Sequence, residues 1–476
     1  MRRREFLGAF GGVATWPLSA RAAASVSPAM AALSAYMAEA GSKPLPEAAL
    51  AQAKLHILDT LAAMVSGATL RPGKLAIAFA RGYGGEKVAT VVASDVVVGP
   101  IEAALANGIL AHSDETDDSH APSVSHPGAP VVSAALAAGE RFGVNGARFV
   151  RAVTLGYDVG TRVTMMLGPD AFRKGHKSTH AVAGGFGAAS AAGCCAELDA
   201  QQMRWLLDYT AQQSAGIAAW QRDSDHIEKA FVFAGMAARN GLNAALLVQA
   251  GWTGVDDILS GADNFIDAYG TDSDPAKLVE GLGSQFEIMR TNIKKWTVGS
   301  PIQAPLDGLW ELMQAHKFKA QDVQEVVVRV ATKEAAVVNN RDIPDICLQH
   351  MVAVMLLEGT ASFTSAHDIA RMQDPALLRQ RAKVKLIPDE ELERRRPARE
   401  ANVEVVLTDG QKFNRHVNAV RGTAQNPMTR EEVMEKCRDL MAPVLGNKQC
   451  DALTTMVLAL EKQGDLRGLR PLLQVG

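Results

Sequence analysis

Apolar residues recur at helical spacing through most of residues 46–278. Leu50, Leu55, Ile57, Leu58, Leu61, Met64 and Val65 form one such run, with Pro46 before it and Gly67 at its end, where helix boundaries favour those residues. Alanine-rich apolar stretches follow at 101–111, 129–142, 182–195, 203–219 and 237–250. Small residues at helix contacts let axes approach closely, so this half predicts a compact helical bundle. After Gly283 the period changes. Residues 323–330 (VQEVVVRV) alternate and are β-branched, the pattern of a strand, and 384–387 resembles a second. Residues 403–407 and 412–417, joined through Asp409-Gly410, read as a hairpin. Helical patterns at 305–315 and 348–357 lie among these strands. A capping box at Thr429 to Glu432 then restarts helix to the end. The expected fold is α+β: a large all-α domain over 28–283, a smaller α+β lid over 284–422, and helices 423–476 returning to the first domain. A cleft between two such units is a common place for a small-molecule site.

Composition narrows the function. The 476 residues suit two or three domains, and 47% hydrophobic with 21% charged residues excludes a largely disordered chain. Lys+Arg 49 against Asp+Glu 52 provides no basic surplus for nucleic acid, and 5% aromatics leave few stacking platforms. Five cysteines without a CxxC pair exclude a complete disulfide framework and argue against a local zinc ribbon or iron–sulfur cluster. The N-terminus carries Arg2-Arg3-Arg4, a short apolar run, and Ala20-Arg21-Ala22. These are the three parts of an export signal, and Arg3-Arg4-x-Phe6-Leu7 matches the twin-arginine type. Removal of residues 1–22, with four Arg and one Glu, takes the net charge from −3 to −6 and predicts a periplasmic protein. No later run reaches ~18 uninterrupted apolar residues, so no membrane span is expected.

The densest polar cluster is His112-Ser113-Asp114-Glu115-Thr116-Asp117-Asp118-Ser119-His120, followed by His126-Pro127-Gly128, between two strongly apolar helices. Four carboxylates at such a junction cannot all ionise cheaply unless water, substrate or cations reach them. A second cluster is Gly175-His176-Lys177-Ser178-Thr179-His180, a third Asp225-His226-Ile227-Glu228-Lys229, and a fourth Lys294-Lys295 with Gln303. His350 heads the apolar run to Leu357.

Together these segments resemble the MmgE/PrpD family of dehydratases, decarboxylases and epimerases of small polycarboxylates. The family's AHALDFDDTH…HPG corresponds to AHSDETDDSH…HPG here, GFHPTAVAGTFGAAAA to GHKSTHAVAGGFGAAS, KPYPCCGYTHPAIDAL to KKWTVGSPIQAPLDGL, and SLPYAVAVALLDG to CLQHMVAVMLLEG. The order and spacing agree over most of the chain. Asp117, Asp118, His120 and His126 match the pattern, as does Lys294. Glu115 replaces an aspartate and Ser119 a threonine; Ser178 stands for a histidine, with His180 two positions on. Lys229 fills a family lysine position with a one-residue shift, Gln303 replaces a histidine, and His350 a tyrosine.

The resemblance implies cofactor-free chemistry on a small carboxylate, with no metal, and a homodimer. At a carbon next to a carboxylate, a base must remove the proton and positive charge must meet the developing carbanion. His126 and His180 are the first candidates, with His120 and His350 behind them. Glu115 or Asp118 could orient an imidazole or act as the base, and Ser119 lies in the same cluster. Lys229, Lys294 and Lys295 are the electrostatic partners, with Ser178 and Gln303 on the binding side. This scheme expects imidazoles and acids of the helical half to meet the lysines across one shared pocket. Dehydration is the first expectation; decarboxylation and epimerisation use the same parts. Two rivals need other features. A magnesium site for diphosphates would use Asp114-Glu115-x-x-Asp118 and a facing motif, for which Asp223-x-Asp225 is the best candidate. A carboxylate-binding protein without turnover would tolerate the changes at Ser178, Gln303 and His350.

Overall fold

A computed structural model describes residues 26–475 apart from Thr271, so the export signal expected at residues 1–22 lies outside the described residues. The helical half is built on Glu47–Gly67, Pro100–Ala111, Gly128–Phe142, Gly146–Met166, Thr179–Cys195 and Met236–Gln249. Glycines set the spacing of its centre. A Cβ on Gly160 would stand 2.3 Å from the carbonyl oxygen of Ala183, and one on Gly187 2.7 Å from that of Gly156. Helices Gly146–Met166 and Thr179–Cys195 therefore touch backbone to backbone, as the small-residue pattern implied. Two helical stretches, Glu47–Gly67 and Ile227–Gln249, are long and apolar enough to cross a membrane, but 67% and 61% of their apolar windows are buried inside the fold. They act as core helices.

The second unit holds a four-stranded sheet in the order Val384–Asp389, Val323–Ala331, Ala401–Leu407, Lys412–Val417. The first pair is parallel, with Val326 opposite Val384; the others are antiparallel, with Val326 opposite Val405 and Val405 opposite Phe413. Strand Ala401–Leu407 buries every second residue, so one face of the sheet is apolar. Helix Ser300–His316 covers that face, with Gly308 seated against Val403 and Val417. The expected hairpin is present, with Gly410 at φ 86° in its turn. A two-stranded ribbon, Ala89–Thr90 with Val97–Val98, has no counterpart in the sequence pattern.

Most buried apolar side chains up to Ile293 pack in the helical core, and most of those from Trp296 to Val420 form a separate one, while Phe363 of the second unit packs on the first. The crossover thus falls at 293–296, and residues such as Ile288 stay with the helices instead of opening the lid at 284. The chain then returns. Helix Arg430–Leu445 packs on the first core and sends Lys436 Nζ to Asp59 Oδ1 at 2.6 Å and to the Thr116 carbonyl at 3.0 Å. This buried pair ties the C-terminal helices to the polar segment at the site.

Candidate active site

Helix Pro100–Ala111 ends just before His112, and helix Gly128–Phe142 begins two residues after His126. The intervening segment runs through the interior: His112, Asp114, Glu115, Asp117, Asp118 and His120 are each at most 5% exposed. Buried carboxylates need cations, and these arrive from three directions. Lys294 Nζ donates to the Glu115 carbonyl at 2.7 Å and lies 3.7 Å from Glu115 Oε2 and 3.6 Å from Asp117 Oδ1. Lys229 pairs with the Glu115 carboxylate. His367, from the lid helix Phe363–His367, places Nε2 3.0 Å from Asp114 Oδ2. Against the burial that would raise them, Lys229 and Lys294 hold Glu115 well below the usual carboxylate range, and His112, His126 and Lys294 do the same for Asp117. Burial opposes protonation of His367, but Asp114 prevails and lifts it to about 9.

Asp117 is the hub. Its Oδ2 lies 2.8 Å from His112 Nδ1, and its Oδ1 3.1 Å from His126 Nδ1. An ionised carboxylate only accepts, so both rings present Nδ1–H to it, and a neutral His126 keeps its lone pair on Nε2. Burial pulls His126 below the usual imidazole range, with Asp117 opposing, and pulls His180 well below it, with His126 and His112 adding to the effect. The His126 and His180 rings lie 5.3 Å apart and pack around Phe233. Phe233 sits in a π-helical turn, Phe231–Gly235, that interrupts the helix carrying Lys229, a distortion common at functional sites.

A cavity of about 180 Å³ lies where the two units meet, lined by Ser119, His126 and His180 from the helical half and Glu334, Arg396 and Arg399 from the lid. A second, of about 470 Å³, adjoins it and is lined by Lys294, Ser300, Gln303, Arg290 and Arg421, sharing Ser119 and Arg399 with the first. The single shared pocket expected from the sequence is therefore two neighbouring cavities. His126 and Lys294 line different ones and meet through Asp117.

The other expected residues fall in varied places. His120 bonds Ser123 Oγ at 2.8 Å and Glu287 Oε2 at 3.1 Å while lining the smaller cavity. Asp118 is committed to the scaffold: His56 Nδ1 at 2.9 Å, the Tyr157 hydroxyl at 2.5 Å and the Gly128 N–H at 3.0 Å all reach it. Ser178 caps helix Thr179–Cys195, its Oγ accepting from the Ala181 N–H. Lys295 lies over Trp296 and Trp310, each ring centroid within 4.3 Å of its Nζ. Gln303 staples the preceding loop, donating to the Trp296 and Val298 carbonyls. His350 is buried in the lid with neither ring nitrogen hydrogen-bonded, and lines neither cavity. Asp225 pairs with Arg71 at the surface, and Asp223 accepts from the backbone of Lys229 and Asp225. Those two carboxylates are spent on local structure. Four contributors went unread in the sequence: His367, which nothing nearby marks; Phe233, which depends on the π turn; and Arg396 and Arg399, visible only as part of a charge run.

His112, Glu115 and His226 bring ligand atoms within 4.8 Å of one another, as do His112, Asp117 and His126, so either trio has the spacing of a metal site. Glu115 already faces Lys229 and Lys294, two ammonium charges that a divalent ion would have to displace. This donor set is balanced by lysine.

Comparison with known proteins agrees with this layout. The MmgE/PrpD N-terminal domain matches residues 31–278 and the MmgE/PrpD C-terminal domain residues 296–462, the gap coinciding with the crossover between the two cores. A cis-aconitate decarboxylase from Aspergillus terreus is 24% identical over 90% of this chain and 92% of its own length. That from Homo sapiens is 25% identical over 90% and 91%, and that from Mus musculus 24% over 90% and 90%. With both halves matched in order around a shared carboxylate–imidazole–lysine centre, the chain belongs to the MmgE/PrpD family.

Proposed function

We propose that this protein is a cofactor-independent lyase of small di- or tricarboxylates, with His126 as the base that removes a proton from a carbon next to a carboxylate. One observation carries the reading: Asp117 fixes the His126 ring at the wall of the interdomain cavity, with burial keeping that ring neutral. Asp117 then stabilises the imidazolium formed on proton transfer. The electron pair left on carbon delocalises into the neighbouring carboxylate, favoured by the cationic field of Lys294. In dehydration the adjacent C–O bond breaks next. The hydroxyl leaves with the proton His126 has taken, as water, and the alkene remains. His180, in the same cavity, is placed to orient that hydroxyl.

Decarboxylation is the second reading, supported by the names of the relatives. There the C–C bond breaks, CO₂ leaves, and His126 delivers a proton to the carbanion. The two differ in pH dependence. A base must start neutral, so dehydration falls away as pH drops below the His126 pKa, under the usual ~6.5. An acid must start protonated, so decarboxylation rises in that range. Turnover of citrate-like hydroxy acids and of cis-aconitate, followed by NMR between pH 5 and 8, separates them; no turnover of either class overturns the lyase reading. Export to the periplasm is part of the proposal, supported by the Arg3-Arg4 segment and tested by cell fractionation with and without it. So is a homodimer, tested by light scattering.

A further inference from the structure

Two arginines line the His126 cavity. Arg396 and Arg399 lie between helix Glu390–Arg394 and strand Ala401–Leu407 of the lid and line the cavity wall. Arg173 lies on helix Pro169–Lys174 of the helical half, whose Pro169 and Asp170 line the same cavity. Burial, and then the charge of Arg396, hold its guanidinium below the usual arginine range, with Arg399 adding to the effect. Each guanidinium carries five N–H donors. Among the described residues, these three side chains make a single hydrogen bond, Arg396 Nη1 to Glu393 Oε1 at 3.2 Å. Arg399 Nη1 stands 3.3 Å from Glu334 Oε1, and Arg173 has no ion pair.

The acids nearby compensate incompletely. Glu393 is shared with Lys333, Glu334 is raised by burial, and Asp170 only partly offsets the arginines around Arg173. Half-buried guanidiniums with unfilled donors on one cavity wall favour an anion beside them.

We propose that Arg396 and Arg399 clamp the substrate carboxylate remote from the reacting carbon, so that the lid selects polycarboxylates over monocarboxylates. The identity of the anion rests on the lyase reading; the clamp itself is a claim about binding. Its contacts are made in ground and transition states alike, so they lower KM and leave kcat almost unchanged.

The test is calorimetric titration of the full mature chain with tricarballylate, a tricarboxylate lacking a hydroxyl, and with inorganic phosphate. Arg396→Ala/Arg399→Ala weakens tricarballylate binding about 10–100-fold. Arg399→Lys recovers only part, because an ammonium lacks the planar fork. A double variant with an unchanged melting temperature and a tricarballylate Kd within threefold of the unmodified protein overturns the clamp. Phosphate bound as tightly as tricarballylate, and lost in the same variant, also overturns it, since the patch would then be an unselective anion site. Loss of arginine-dependent binding leaves the lyase scheme standing, whereas turnover that survives His126→Ala overturns that scheme and leaves the clamp intact.

Discussion

Replacing Asp117 by asparagine keeps the shape of the hub and removes its charge. The carboxylate now holds His112 at 2.8 Å and His126 at 3.1 Å, with Lys294 Nζ 3.6 Å away. An amide has one accepting and one donating end, so it cannot accept from both rings. If the NH₂ turns to His126, that ring must move its proton to Nε2 and loses the lone pair a base needs there. If it turns to His112, His126 keeps its tautomer but its imidazolium loses the adjacent negative charge. Either way the base is impaired, and a positioned base is worth ~10²–10⁴-fold, about 3–5 kcal/mol of barrier. Without the carboxylate, which opposes the effect of burial on His126, the acid limb of kcat/KM moves to still lower pH. Lys294 keeps Glu115 as its partner, so the stability loss stays below the ~3–5 kcal/mol of a fully broken buried pair. Steady-state kinetics with a melting curve separates the two losses, and long-range ¹H–¹⁵N NMR of labelled histidine reads the tautomer. A folded Asp117→Asn variant with kcat within threefold of the unmodified protein refutes the reasoning, and so does an Nε2–H tautomer at His126 in the unmodified chain.

Other perturbations follow from single contacts. His367 has its folded pKa raised to about 9 by Asp114, so its contribution to stability is complete below ~6.5 and lost as pH rises through 9; His367→Gln flattens urea-unfolding stability over that window. Lys436→Ala leaves the buried Asp59 carboxyl without its ammonium partner and costs about 3–5 kcal/mol, whereas Lys436→Met with Asp59→Leu recovers most of it, both read by chemical denaturation. Gly160→Ala drives a methyl to 2.3 Å from the Ala183 carbonyl and lowers stability by at least ~1–3 kcal/mol in the same assay. Because Lys229 and Lys294 supply the positive charge beside Glu115, dialysis against EDTA leaves turnover unchanged; restoration by an added divalent ion would contradict this.

The elements were legible wherever burial is one-sided. Strand Val323–Ala331 and the Asp409-Gly410 hairpin show in the alternation of their apolar residues, and the central helices in their alanine and glycine content. The crossover was harder, because residues 284–293 are as irregular as a linker yet place Phe286, Ile288 and Ile293 on the helical core. At the site, local density marked the carboxylates and histidines of 112–126, since so many ionisable groups between apolar helices need partners. The partners themselves came from far along the chain: Lys294 lies 179 positions from Glu115, and His367 reaches Asp114 from the lid. Roles diverged for the same reason. Asp118 and Asp117 are adjacent in sequence, but one meets His56 and Tyr157 and becomes scaffold, while the other meets two imidazoles and a lysine. Only the fold separates them.

The base assigned to His126 is tested most directly by deuterium exchange from solvent. Protein incubated in D₂O with citrate, cis-aconitate and related polycarboxylates is expected to place deuterium on a carbon next to a carboxylate, seen by NMR even where net turnover is slow. His126→Ala, folded by its melting curve, should slow that exchange by ~10²-fold or more. Exchange at an undiminished rate in His126→Ala contradicts the account.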